Sequence, residues 1–185
     1  MSNYKIILDK DDIVLKKKDN TFKLEAKKNV KFPCKIIDMV ESMEIYNLFK
    51  LLNEKIVSKC KIIREPSKEP EILLCLKNFM NEDDESVDED DENYYITFTN
   101  RIIKNSSTSI SVDCIKNNTI INKDGWKKIE IDNMQMNVEL MEETSELVIK
   151  LKFTYIGDKM PIYAENTIGL IFRKIVKNLM GYFSK

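Results

Sequence analysis

The sequence predicts an α+β fold in which a curved antiparallel β-sheet wraps around a long C-terminal α-helix, with a short helix pair after the first strand. Three observations predict it. Apolar and polar residues alternate through Trp126 to Leu140 and again through Leu147 to Tyr155, as in paired strands with one buried face. Apolar residues recur at spacings of three and four after Pro33 and after Pro161, and proline suits the first turn of a helix. The order strand, helix pair, run of strands and terminal helix is an α+β order in which the sheet can curl around the last helix. With 185 residues and 43% hydrophobic content, the chain is long enough for one domain with a sizeable core and too short for two.

Along the chain, residues 1–19 hold two apolar clusters, Tyr4 to Leu8 and Ile13 to Leu15, and read as an N-terminal extension or a short strand pair. Phe22 to Ala26 alternates, and Val30 and Phe32 prolong it, so 20–32 is expected to be a strand with room for a bulge. From Pro33, Ile36, Ile37, Met39, Val40 and Met43 recur at helical spacing, and Ile45, Leu48, Phe49, Leu52 and Ile56 continue it. With no Gly or Pro between them, one long helix and two short ones with a bend near Ser42 both fit. Lys55 to Ile63 reads as a strand, the two-proline stretch 64–70 as a loop, and Glu71 to Met80 as a buried strand in preference to a short helix.

The acidic tract 81–93 has one apolar residue, Val87, and reads as a solvated loop. Tyr94, Ile96 and Phe98 share one face, as do Ile110, Val112 and Cys114 across a polar turn, which makes two adjacent strands. Met134, Met136, Val138 and Leu140 then pair in pattern with Leu147, Ile149, Leu151, Phe153 and Tyr155 as a hairpin. After Pro161, Ala164, Ile168, Ile171, Phe172, Ile175, Leu179 and Tyr182 form the stripe of an amphipathic helix.

Composition removes several function classes. The chain has no histidine, the commonest general base and the usual zinc ligand, and no Gly-rich phosphate loop. No catalytic residue, metal site or cofactor is therefore expected. A net charge of -1, with Arg64, Arg101 and Arg173 the only arginines, argues against nucleic acid as a partner. Cys34, Cys60, Cys75 and Cys114 lie singly in apolar segments with no secretory signal before them, as free thiols in a cytoplasmic protein would. No apolar run approaches the roughly 18 to 20 residues that span a bilayer.

Three passages resemble the START-like, or helix-grip, superfamily (SRPBCC). Phe22 to Phe49 is similar to its first strand, Pro-initiated helix and second short helix; Lys127 to Gly157 to its last long hairpin; Lys159 to Phe183, with Asn166 just inside, to its closing helix. The resemblance covers roughly 20–185 and implies a single START-like domain that encloses an apolar cavity for a lipid, sterol or other hydrophobic ligand. The chain departs from the larger lipid-transfer members in its short stretch between Phe98 and Trp126 and in its acidic tract.

The resulting expectation is non-catalytic binding or transfer of a hydrophobic small molecule or lipid between the hairpin and the terminal helix. Its walls are expected to be Met134, Met136, Val138, Ile149, Leu151 and Phe153 from the hairpin, and Ile168, Ile171, Phe172 and Ile175 from the helix. The same stripe equally suits a filled core, and then a protein-interaction or assembly module of the same fold is the alternative, meeting a protein partner at the acidic loop or on the outer sheet face. Arg173, Lys174, Lys177 and Lys185, near Phe172, Met180, Tyr182 and Phe183, also suit peripheral membrane contact.

Overall fold

A computed structural model describes residues 4–31, 33–77, 94–117, 126–156 and 162–184, with the side chains of all but 33, 34 and 162–165. The acidic tract 81–93 and residues 118–125 and 157–161 lie outside the described residues. The elements are β1 (Lys5–Lys10), β2 (Ile13–Lys18), β3 (Thr21–Asn29), α1 (Pro33–Glu41), α2 (Glu44–Leu52), β4 (Val57–Ile63), β5 (Glu71–Leu76), β6 (Tyr94–Lys104), β7 (Ser109–Lys116), β8 (Lys127–Lys128), β9 (Ile131–Met141), β10 (Glu146–Tyr155) and α3 (Ile162–Phe183). Among the described residues the strands form one curved sheet in the order β1-β2-β3-β10-β9-β7-β6-β5-β4, with β8 beside β6. Every pairing is antiparallel except that of β8 with β6.

The period-two pattern sets which residues reach the core. Phe22, Leu24 and Ala26 of β3 stand opposite Phe153, Leu151 and Ile149 of β10, which stand opposite Met134, Met136 and Val138 of β9. All nine are buried, and the charged residues between them face outward. The helix α3 crosses this inner face and touches β2, β3 and α2. No helix among the described residues is long and apolar enough to cross a membrane.

The helical stretch after Pro33 divides in two. Met43 adopts φ 67°, in the left-handed region that costs a non-glycine residue about 1–2 kcal/mol, and the chain turns there between α1 and α2. The first strand had room for a bulge, but β3 pairs with β2 and β10 in unbroken register; Phe32 lies outside the described residues. Irregularity falls instead at the start of the last hairpin. Trp126 to Leu140 is not one strand, because Lys127–Lys128 run parallel to Tyr94 and Tyr95, and β9 begins at Ile131. Between Ile131 and Met134 the apolar step is three residues rather than two, and the register shift opposite Phe153 and Tyr155 keeps both side chains inside.

The stripe on α3 also ends differently. Tyr182 is 47% exposed, while Phe183, Val176 and Met180 are buried. Four residues separate Leu179 from Phe183, closer to a whole helical turn than the three to Tyr182. With Phe172, Met180 and Phe183 turned inward and Arg173 and Lys177 bonded to Asp11, the apolar and basic groups expected at a headgroup layer do not form one surface. Lys185 lies outside the described residues.

Candidate functional site

Above the β5-β6-β7-β9-β10 part of the sheet, the inner face, α2 and α3 do not quite close. The strands contribute Ile72 and Leu74 from β5, Ile96 and Phe98 from β6, Cys114 from β7, Met134 and Met136 from β9, and Leu151 from β10. Tyr46 and Phe49, one turn apart on α2, and Phe172, Ile175 and Val176 on α3 close it. The cavity between them measures about 40 Å³. Pairing builds the wall: Leu74 stands opposite Ile96, Ile72 opposite Phe98, Cys114 opposite Met134, and Met136 opposite Leu151.

Helix and sheet meet more closely on the other side. The ring of Phe22 stacks on Phe153 at 5.0 Å, Phe153 meets Phe172 at 4.6 Å, and Gly169 lies against Phe22 and Leu15. This contact holds α3 to the β2-β3-β10 side.

One polar cluster adjoins the cavity wall. The Tyr46 hydroxyl donates to Asn100 Oδ1 at 2.9 Å, and the Cys114 thiol donates to the same oxygen at 3.6 Å. Burial pushes the Tyr46 hydroxyl well above its ordinary pKa, and burial does the same to the Cys114 thiol, so both stay protonated at neutral pH. Cys60 on β4 is likewise pushed up by burial, to about 11. Cys60, Cys75 and Cys114 form no disulfide.

Five of the ten residues expected from sequence line this cavity: Met134, Met136, Leu151, Phe172 and Ile175. Val138, Ile149, Phe153, Ile168 and Ile171 are buried in the surrounding core without reaching it. The sequence reading missed Tyr46 and Phe49 and the whole contribution of β5, β6 and β7. Their inward alternation was visible, but the strand order that carries them under α3 was not. A larger hollow of about 390 Å³ lies open at the surface, with Asp11, Lys27, Lys28 and Lys177 on its walls beside Ile13, Leu52 and Met180, so unlike the cavity under α3 it mixes charged and apolar groups.

No family model matches the chain, and no curated protein matches its sequence. Solved structures do match. The lipid transfer and protein localization domain of human StarD13 superposes with a TM-score of 0.71 at 8% identity, covering 99% of this chain and 90% of that one. Human StAR-related lipid transfer protein 5 gives 0.67 at 10% identity, over 97% and 86%. A STAR-related lipid transfer protein fragment from Xanthomonas axonopodis gives 0.66 at 13% identity, over 100% of both chains. The chain has the START-like, helix-grip fold. Identities this low establish the fold alone. In this helix-grip fold the gripped helix is α3, and the cavity lies where the grip is loosest, beside α2.

Proposed function

We propose that this chain binds, and can transfer, a hydrophobic ligand such as a lipid or sterol-like molecule between its sheet and α3, without catalysing a reaction on it. The observation that carries the reading is the cavity under α3, whose walls are apolar apart from the Tyr46 hydroxyl and the Cys114 thiol. Concave, mostly apolar sites with a few polar groups are where small hydrophobic molecules bind. The three helix-grip neighbours are named as lipid transfer proteins or domains, which supports the same ligand class. Neither polar group on the wall is ionised at neutral pH, so neither is poised as a base.

Pockets for drug-sized ligands measure roughly 300–1,000 Å³, far more than the cavity of about 40 Å³. Uptake therefore requires α3 or α2 to move outward. The flexible thioethers of Met134 and Met136 suit a wall that changes shape. On opening, Ile168 and Ile171 of α3 and Val138, Ile149 and Phe153 of the hairpin join the five residues already there as the enlarged lining. The small volume also favours a second reading, a protein-interaction module with a filled core and a partner at the acidic loop. One experiment separates them. Native mass spectrometry of the purified chain, with solvent extraction, is expected to show a bound apolar molecule; an empty protein that takes up neither lipid nor a fluorescent apolar probe overturns the ligand reading and leaves the second.

A further inference from the structure

We infer that Asn100, with Tyr46 and Cys114, is a polar anchor that holds one uncharged oxygen, a carbonyl or a hydroxyl, of the hydrophobic ligand. The inference rests on the ligand-binding reading above and names the chemistry that the site selects. Asn100 is 1% exposed and follows Ile96 and Phe98 at two-residue spacing, on the cavity face of β6. It stands opposite Cys114 in the β6-β7 register. Its Oδ1 accepts from Tyr46 and Cys114, both of which line the cavity, while its Nδ2 has no hydrogen-bond partner.

An asparagine amide carries two N–H donors. Leaving them buried without an acceptor is costly, and a leucine of similar size would avoid the cost. With two protonated groups donating into Oδ1, the N–H pair has no acceptor in the closed structure, and Asn100, which lies behind Tyr46 and Cys114 rather than on the cavity wall, is reached when the cavity enlarges for a ligand. A lone water fits poorly, because a buried water typically makes about three hydrogen bonds, and the remaining walls are aliphatic, aromatic and thioether side chains. A ligand oxygen brings its own apolar body to cover those walls. That oxygen is uncharged, since no lysine or arginine lines the cavity to balance a carboxylate or phosphate.

Two probes that differ by a single carbonyl, octanophenone and octylbenzene, test the anchor on the full chain. Wild type is expected to bind octanophenone about tenfold more tightly once each affinity is corrected for transfer from water. The carbonyl stretch of the bound ketone should lie at lower frequency than in alkane, as hydrogen bonding requires. Asn100→Leu should keep octylbenzene binding, lose the preference and return the stretch to its alkane position. Equal corrected affinities with an unshifted stretch overturn the anchor while leaving the ligand reading intact, and so does a shift that persists in Asn100→Leu. Uptake of neither probe overturns both. If Asn100→Leu does not fold, Asn100→Ala takes its place in the same comparison, and an unshifted stretch in wild type overturns the anchor in either case.

Discussion

The two glycines of the C-terminal helix show how one missing Cβ decides packing. A Cβ on Gly169 would lie 2.8 Å from two ring atoms of Phe22 and 3.2 Å from Leu15, whereas one on Gly181 would meet nothing within 4 Å. Phe22 cannot yield, because its ring is fully buried and stacked on Phe153. Gly169→Ala is therefore expected to destabilise by about 1–3 kcal/mol, overpacking outweighing the better helix propensity of alanine. Gly181→Ala, which gains propensity alone, is expected to stabilise by about 0.5–1 kcal/mol. Chemical denaturation of the two variants beside wild type measures both, and two changes of the same sign would contradict the packing. Nothing in the local sequence distinguishes these glycines: both sit in the same amphipathic pattern, and only the opposing strand separates them.

At the level of elements, α3 is held by polar contacts as well as by its stripe. Asn178 donates to Leu52 O at 3.1 Å and to Asn53 Oδ1 at 2.8 Å, tying the helix to the end of α2. In the β1-β2 turn, Asp11 pairs with Lys177 at 2.7 Å and Arg173 at 3.2 Å. The Lys177 hydrogen bond holds the Asp11 carboxyl below its ordinary pKa, burial opposes this, and Arg173 adds to the lowering. A folded-state pKa below the unfolded value contributes stability above the ordinary carboxylate range, and that contribution is lost as pH falls through the lowered value. Thermal unfolding followed from neutral pH to about pH 2 should show this loss in wild type and less of it in Asp11→Asn. High salt should narrow the difference at neutral pH. Asparagine tolerates the positive φ of 59° at this position, so the turn itself should survive. An identical acid profile in the variant would mean that the pair does not hold the hairpin to the helix. The hairpin β9-β10, the helix pair and α3 were legible because each writes its period into contiguous residues. The ion pair was not, since 162 positions separate Asp11 from Arg173.

For the whole molecule, the question is whether the gap under α3 is the seed of a binding site or a packing remnant. Leu74 is buried and lines it. Leu74→Phe should fill much of a cavity of about 40 Å³, leave the unfolding temperature unchanged or raised, and abolish uptake of an apolar probe. Calorimetry with and without probe checks this, because a ligand at about a hundred times its dissociation constant stabilises wild type by roughly 2.7 kcal/mol. A variant that folds and still binds would place the site elsewhere. The cavity draws on seven elements, from Tyr46 on α2 to Val176 on α3, and their meeting is a consequence of strand order. Five of the ten residues named from sequence border the cavity, since the hairpin and the helix each write their inward row into contiguous residues. The contributions of β5, β6, β7 and α2 depend on a sheet that curls until distant strands face the same helix.

The sequence by itself determined the α+β class, the inward rows of β3, β6, β7, β9 and β10, the helical period after Pro33 and most of the stripe of α3, because periods of two and 3.6 are local consequences of backbone geometry. It also excluded histidine chemistry by containing none. The tertiary structure alone decided that Tyr182 yields to Phe183, that Gly169 must lack a side chain, that Asp11 reaches the helix, and that Asn100 keeps an amide unpaired beside a small cavity. Each of these depends on what stands opposite a residue, and a pattern along one strand or helix carries no record of its partner.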